Sequence, residues 1–132
     1  MTRFLLDTNI LSELARNPSG RAARRAEVHK GSCITSAIVV AEIRFGLAKR
    51  GSAELAKRIT PVLESIPAIG WEHPADHHYA QLRTSLEAAG TPIGGNDMLI
   101  AAHALALEAT LVTANEREFR RVPGLSVENW QT

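Results

Sequence analysis

The amino-acid sequence predicts an α/β layered domain, a short and mostly parallel β-sheet flanked by helices. Two patterns carry this expectation. Short strand-like runs recur at residues 3–6, 32–35, 67–71, 111–113 and 125–128, separated by turn residues and helices. Between them lie longer stretches with helical apolar spacing and recognisable caps. Bulk composition agrees: at 132 residues, 45% hydrophobic and 22% charged, the chain can bury a core and has a globular balance. A single domain over residues 1–132 is expected.

Each element has a local cause. Phe4-Leu5-Leu6 forms the apolar part of the first strand, and a helix follows from about Thr8 to Arg16. Asn17-Pro18-Ser19-Gly20 is turn chemistry, and a second helix covers Arg21–His29, ending before Gly31. Ser32–Thr35 is the second strand, with Ser36 placed to cap a helix that reaches Leu47. Gly51-Ser52 breaks the chain before a helix ending near Ser65, and Pro67–Trp71 is the third strand. Pro74 suits the first turn of a helix that runs to about Ala89 and stops at Gly90. Gly94-Gly95 is a hinge-like break, Asn96 an N-cap, and Asp97–Leu107 a helix apolar almost all round, hence buried. Leu111–Thr113 is a fourth strand, Glu116–Arg121 a short helical turn, and Leu125–Glu128 the last strand.

Several function classes fall away. Met1-Thr2-Arg3 leads into only three apolar residues before Asp7, too few for a signal-peptide core, and no stretch approaches the length that crosses a bilayer. Cys33 is the sole cysteine, which rules out an internal disulfide and suits a reducing cytoplasm. The net charge is only +1, but Arg21, Arg24, Arg25, Lys30, Arg44, Lys49, Arg50, Lys57 and Arg58 crowd the first half. Between residues 21 and 58 only Glu27, Glu42 and Glu54 oppose them. A polyanion partner needs local positive charge rather than a basic total, although helix faces solvated by Arg and Lys look the same in a sequence.

Three acids stand in apolar surroundings, where burial makes charge costly. Asp7 ends the first strand, Glu42 sits within "AIVVAEIRFGLA", and Asp97 opens the most apolar helix. Each has a bland account. Asp7 can cap the helix after it, Glu42 can lie on a solvent stripe beside Arg44 or Lys49, and Asp97 can favour the positive end of its helix. Convergence on a divalent cation is the one account that covers all three. Two carboxylates at ~4 Å repel by about 4 kcal/mol at an effective dielectric of about 20, so such a cluster binds protons or cations. Carboxylate ligands without His or Cys suit Mg²⁺ or Mn²⁺ rather than zinc.

Four segments, "FLLDTNILSEL", "SAIVVAEIRFGL", "IGGNDMLIAAHALA" and "LVTANEREFRRVPGLSVENW", resemble in that order the PIN-domain toxins of the VapC type across nearly the whole chain. The resemblance places that family's metal-binding Asp at Asp7, its helical Glu at Glu42 and its helix-opening Asp at Asp97. It implies a compact PIN-like three-layer fold that cuts RNA with Mg²⁺ or Mn²⁺. It also implies a VapB-type antitoxin that blocks the site and supplies operator DNA binding. A homodimer, a toxin–antitoxin hetero-oligomer and structured RNA such as tRNA as substrate belong to the same expectation. One position departs from the family pattern. Many PIN domains carry a fourth acid in a "T-x-D" setting, and Thr113-Ala114-Asn115 puts an amide there. Glu116 and Glu118 lie close by. Glu118 either supplies the carboxylate or closes a capping box with Asn115.

Other features lead elsewhere. His73 and His77 have helical i,i+4 spacing but no third zinc ligand, and read as a surface cluster. His103, inside an apolar helix, reads as a hydrogen-bonded core histidine, and Cys33 has no partner base. "LLDTNIL" also resembles haloacid-dehalogenase-like phosphatases, but Asn9 stands where that family needs a second Asp as general acid. A non-catalytic PIN-like binding module is the other alternative, supported by Asn115 and opposed by Asp7, Glu42 and Asp97 together.

The expected mechanism is therefore hydrolytic cleavage of RNA. Asp7 and Asp97 hold the ion, with Glu42 orienting the attacking water or completing the inner shell and Glu118 a further candidate ligand. Thr8, Asn9 and Asn115 are supporting polar residues, and Arg44, Lys49, Arg50 and Arg117 guide the RNA backbone.

Overall fold

The computed structural model describes residues 2–132. Its sheet is built from β1 (Phe4–Leu6), β2 (Cys33–Ser36), β3 (Ala68–Ile69), β4 (Thr110–Val112) and β5 (Val127–Glu128). The strand order is β3-β2-β1-β4-β5, and every neighbouring pair is parallel. All three residues of β1 are buried, as expected of a central parallel strand covered on both faces. Leu5 and Leu6 are fully inaccessible, and burying each contributes about 1.5–3 kcal/mol.

The connections place β2 and β3 on one side of β1, and β4 and β5 on the other. The winding thus reverses between β1 and β4. At such a switch point the loops leaving the two strands part and open a crevice at their carboxyl ends. Leu6 pairs with Val112, so Asp7 and Thr113 emerge side by side into that crevice.

The helices are α1 (Thr8–Arg16), α2 (Arg21–Val28), α3 (Ala37–Arg50), α4 (Ala53–Ser65), α5 (Ala75–Ala89), α6 (Gly95–Ala106) and α7 (Glu116–Phe119). α1 buries Ile10 and Leu11 against the sheet, and α6 buries Ile100 to Ala104 with α5 packed on it. Among the described residues no helix is long and apolar enough to cross a membrane.

Several boundaries differ from expectation. α3 continues past Leu47 to Arg50 and ends at Gly51, whose left-handed φ of 62° lets its N–H return to the Leu47 carbonyl at 2.9 Å. α6 starts at Gly95 with Gly94 as N-cap, so Asn96 is not the cap but a first-turn residue free to reach sideways. Strands β3 and β5 pair over two residues each, shorter than 67–71 and 125–128, because they are the sheet edges. Beyond β3 the chain turns away, and the Trp71 indole N–H donates to the Leu99 carbonyl at 2.9 Å.

Candidate active site

Asp7 caps α1, its side chain accepting from the Thr8 N–H at 2.8 Å. Its other oxygen accepts from Thr113 Oγ1 at 2.8 Å and from Asn9 Nδ2 at 3.3 Å. Burial pushes the Asp7 pKa up; the bonds from Thr113 and Thr8 pull it back, the nearby Glu42 charge raises it, and the Asn9 bond lowers it. The net effect is upward. A carboxylate that is only 4% exposed is therefore oriented by three donors and still lacks a full counter-charge.

Thr113 is fully buried and its hydroxyl is saturated. It donates to Asp7 and accepts from Asn9 Nδ2 at 3.3 Å and from the Asn115 N–H at 3.0 Å. Asn9 closes the network, its amide oxygen accepting from the Ala114 N–H at 2.8 Å. The loops after β1 and β4 are thus tied together by side chains. Thr113 was not singled out from the sequence. Its signal there is a polar residue ending an apolar strand run, the same signal that marks Asp7.

Glu42 does not pair with Arg44 or Lys49. Its Oε1 accepts from Thr8 Oγ1 at 2.8 Å and its Oε2 from Asn96 Nδ2 at 3.3 Å, which turns the carboxylate toward the crevice. Asp97, in the first turn of α6, has its pKa pushed up to about 6. Burial is the largest cause, followed by the charges of Asp7, Glu42 and Glu118. These four acids feel one another across one space. Among the described residues no three His, Cys, Asp or Glu side chains already form a closed cage. Oxygen donors alone, with a carboxyl still half-protonated near pH 6, are the chemistry that suits a hard divalent cation.

The PIN domain family model matches residues 4–125. Ribonuclease VapC2 of Rickettsia felis is 38% identical over 130 residues, covering 96% of this chain and 97% of that protein. The chain belongs to the VapC branch of the PIN-domain family. The tRNA(fMet)-specific endonuclease VapC of Shigella flexneri is 32% identical over 134 residues, 98% of this chain and 99% of that one. The fold also matches a chain in the crystal structure of VapBC2 from Rickettsia felis bound to a DNA fragment from their promoter. That match has a TM-score of 0.89 and 34% identity, and covers 98% of this chain and 99% of that chain. DNA-bound VapBC from Salmonella typhimurium matches with a TM-score of 0.87 and 30% identity, again over 98% and 99%.

In this PIN domain the fourth-acid question turns on α7. Of the two readings of Glu118, the capping box with Asn115 does not form: the Asn115 side chain makes no cap bond, and its N–H goes to Thr113. Glu118 is half-buried and raises the Asp97 pKa, whereas Glu116 lies 3.8 Å from Arg120. The Thr113 hydroxyl thus takes the Asn115 N–H that Glu118 would accept in a capping box.

The basic residues lie outside this cluster. Arg44, Lys49, Arg50 and Arg117 are all exposed, with the Lys49 ammonium 6.0 Å from the Phe45 ring centroid. Arg50 and Arg16 border a groove of about 300 Å³ between α1, α3 and α4, whose lining also includes Thr8 and Glu42. The structure brings Asp7, Thr8, Asn9, Glu42, Asp97 and Glu118 together and leaves Arg44, Lys49 and Arg117 at the surface.

Proposed function

We propose that this chain is a divalent-cation-dependent endoribonuclease toxin of a toxin–antitoxin pair, hydrolysing RNA phosphodiester bonds and neutralised by a VapB-type antitoxin. The observation that carries the proposal is the gathering of Asp7, Glu42 and Asp97 at the mouth of the sheet. Hydrogen bonds orient Asp7 and Glu42, and the Asp97 pKa is pushed up to about 6 by burial first and then by the charges of Asp7, Glu42 and Glu118. Its family setting supports the substrate class, since ribonuclease VapC2 of Rickettsia felis is similar over nearly the full chain. One domain over residues 1–132, at work in the cytoplasm, completes the proposal.

Asp7 and Asp97 would hold Mg²⁺, or Mn²⁺ in its place, with Glu42 and Glu118 as further oxygen donors. When bound, the cation supplies a lowered water pKa and compensates the charge that grows on the phosphate. Asp97, whose pKa burial and the neighbouring acids push up to about 6, would serve as a ligand in its deprotonated form. Asp7 is kept in one orientation by Thr113, Thr8 and Asn9. Glu42, gripped by Thr8 and Asn96, orients the attacking water in line with the leaving 3′-oxygen. Asn115 lends its backbone N–H to Thr113. Water attack leaves a 3′-OH and a 5′-phosphate. Arg44, Lys49, Arg50 and Arg117 attract the RNA backbone through phosphate contacts.

Asn9 spends both ends of its amide on Asp7, Thr113 and Ala114, which suits a scaffold and not the general acid of a phosphatase. The named tRNA(fMet) specificity of the Shigella flexneri relative makes tRNA the first substrate to test. The largely apolar groove beside Glu42 suits an antitoxin segment bearing apolar side chains and a cation. The reading includes a homodimer within a toxin–antitoxin hetero-oligomer that touches operator DNA only through the antitoxin; the DNA-bound VapBC relatives support the antitoxin and DNA as partners.

The test is induced expression of the wild type and of Asp7→Asn, followed by sequencing of RNA 5′ ends. Discrete new ends with 5′-phosphates are expected in the wild type alone. Ends that persist in Asp7→Asn overturn the assignment of Asp7, and 2′,3′-cyclic phosphates overturn water as the nucleophile. No new ends in either strain favour the non-catalytic module.

A further inference from the structure

His103 is 1% exposed, yet it is a polar residue in the most apolar helix of the chain. Its Nδ1 lies 2.7 Å from Ser36 Oγ, the oxygen that also accepts the Ile38 N–H at 3.1 Å and so caps α3. Its Nε2 completes no hydrogen bond, while the Gly70 backbone pulls the imidazole pKa up, the effect of a carbonyl near the ring N–H. A carbonyl only accepts, so Nε2 carries the proton and Nδ1 receives the Ser36 hydroxyl proton. Burial pushes the imidazole pKa down and keeps it neutral, as that arrangement needs.

As plain core filling this is a poor choice, because an incompletely bonded buried N–H opposes folding where an aliphatic side chain of similar size does not. Its position suggests a purpose. Ser36, the N-cap of α3, lies six residues before Glu42, and His103 lies six residues after Asp97 on α6. The two helices therefore run antiparallel, tied at one end by His103–Ser36 and at the site end by Asn96–Glu42 at 3.3 Å. These are the side-chain hydrogen bonds that link α3 and α6 among the described residues. A slip of one residue along either helix moves its carboxylate by roughly 1.5 Å and turns it by about 100°. Cation–oxygen bonds of about 2.0–2.1 Å do not tolerate such a shift.

We propose that His103 is a positioning residue: its Nδ1 bond to Ser36 Oγ sets the register of α6 on α3 and thereby the geometry in which Asp97 and Glu42 receive a divalent cation. The proposal rests on the nuclease assignment above. Partners standing behind metal ligands typically control affinity by about 10–100-fold.

Three variants test it. His103→Leu removes both nitrogens. His103→Asn keeps an acceptor where Nδ1 stood, and His103→Gln keeps a donor where Nε2 stood and abandons Ser36. Mn²⁺ binding is measured by titration calorimetry on the purified full chain, with kcat and KM for RNA cleavage beside it. Roughly tenfold weaker Mn²⁺ binding and a lower kcat are expected for Leu and Gln, with KM for RNA within about twofold, and recovery is expected in Asn. If Leu fails to fold, the contrast between Asn and Gln decides. Equal Mn²⁺ affinity across wild type and variants overturns the positioning role, as does an Asn variant as impaired as Gln. A wild type that neither binds Mn²⁺ nor cuts RNA instead overturns the nuclease assignment beneath it.

Discussion

Asp97→Asn separates the stability of the metal-free protein from its activity. In the folded chain the Asp97 carboxyl is displaced from 3.8 to about 6. At ~1.4 kcal/mol per pH unit this corresponds to about 3 kcal/mol, and because the group is half-exposed solvent screening reduces it to on the order of 1–2 kcal/mol. The folded pKa lies above the unfolded one, so the native state holds the extra proton between these values. Stability from this group is therefore full below pH 3.8 and declines as pH rises to about 6. Near neutral pH the wild type carries the whole penalty, and an uncharged amide removes it. Thermal melts in EDTA should show Asp97→Asn more stable than wild type by roughly 4–8 °C at pH 7.5, and level with it near pH 4. Adding Mn²⁺ should raise the wild-type Tm and leave that of the variant almost unmoved, while RNA cleavage is lost. Parallel pH slopes for the two proteins in EDTA, or equal Mn²⁺ shifts, would refute the claim that Asp97 is a strained ligand.

Thr113→Val keeps the side-chain shape but removes a hydroxyl bonded to Asp7, Asn9 and the Asn115 N–H. Denaturant unfolding should report a loss of about 2–3 kcal/mol, the scale of a buried hydrogen bond to a carboxylate. The acid limb of the pH–rate profile should move to higher pH, since Thr113 exerts the largest downward pull on the Asp7 pKa; an unmoved limb would uncouple Thr113 from Asp7. Glu118→Gln should weaken Mn²⁺ binding in calorimetry, while Glu116→Gln, which loses only an exposed pair with Arg120, should not. Equal effects from the two glutamates would remove Glu118 from the acidic cluster.

The layered fold was legible because period and punctuation are local properties. Leu5-Leu6, Leu111-Val112 and the capped helices between them announce buried strands and crossovers without reference to anything distant. Asp7, Glu42 and Asp97 were legible for a related reason: an acid among apolar neighbours is conspicuous in one dimension. Capping preference points the wrong way at Asn96 and leaves Glu118 open between two readings, because tertiary contacts claim both positions. Asn96 is no cap but reaches Glu42, fifty-four residues away, and Glu118 closes no box with Asn115. The edge strands were over-extended because nothing in a sequence says how far a partner strand accompanies an edge.

By itself the sequence determined the element order, the polar residues at the strand tips and the oxygen-only chemistry of the acids. It could not determine which side of β1 receives β4, yet that choice creates the crevice in which Asp7 and Thr113 stand side by side. Nor could it show that His103 bonds to Ser36 across sixty-seven residues, or that burial together with three other acids raises the Asp97 pKa to about 6. Hydrophobic periodicity is written residue by residue. Repulsion between carboxylates and hydrogen bonds between helices depend on distances in space, and those exist only once the sheet has set its strand order.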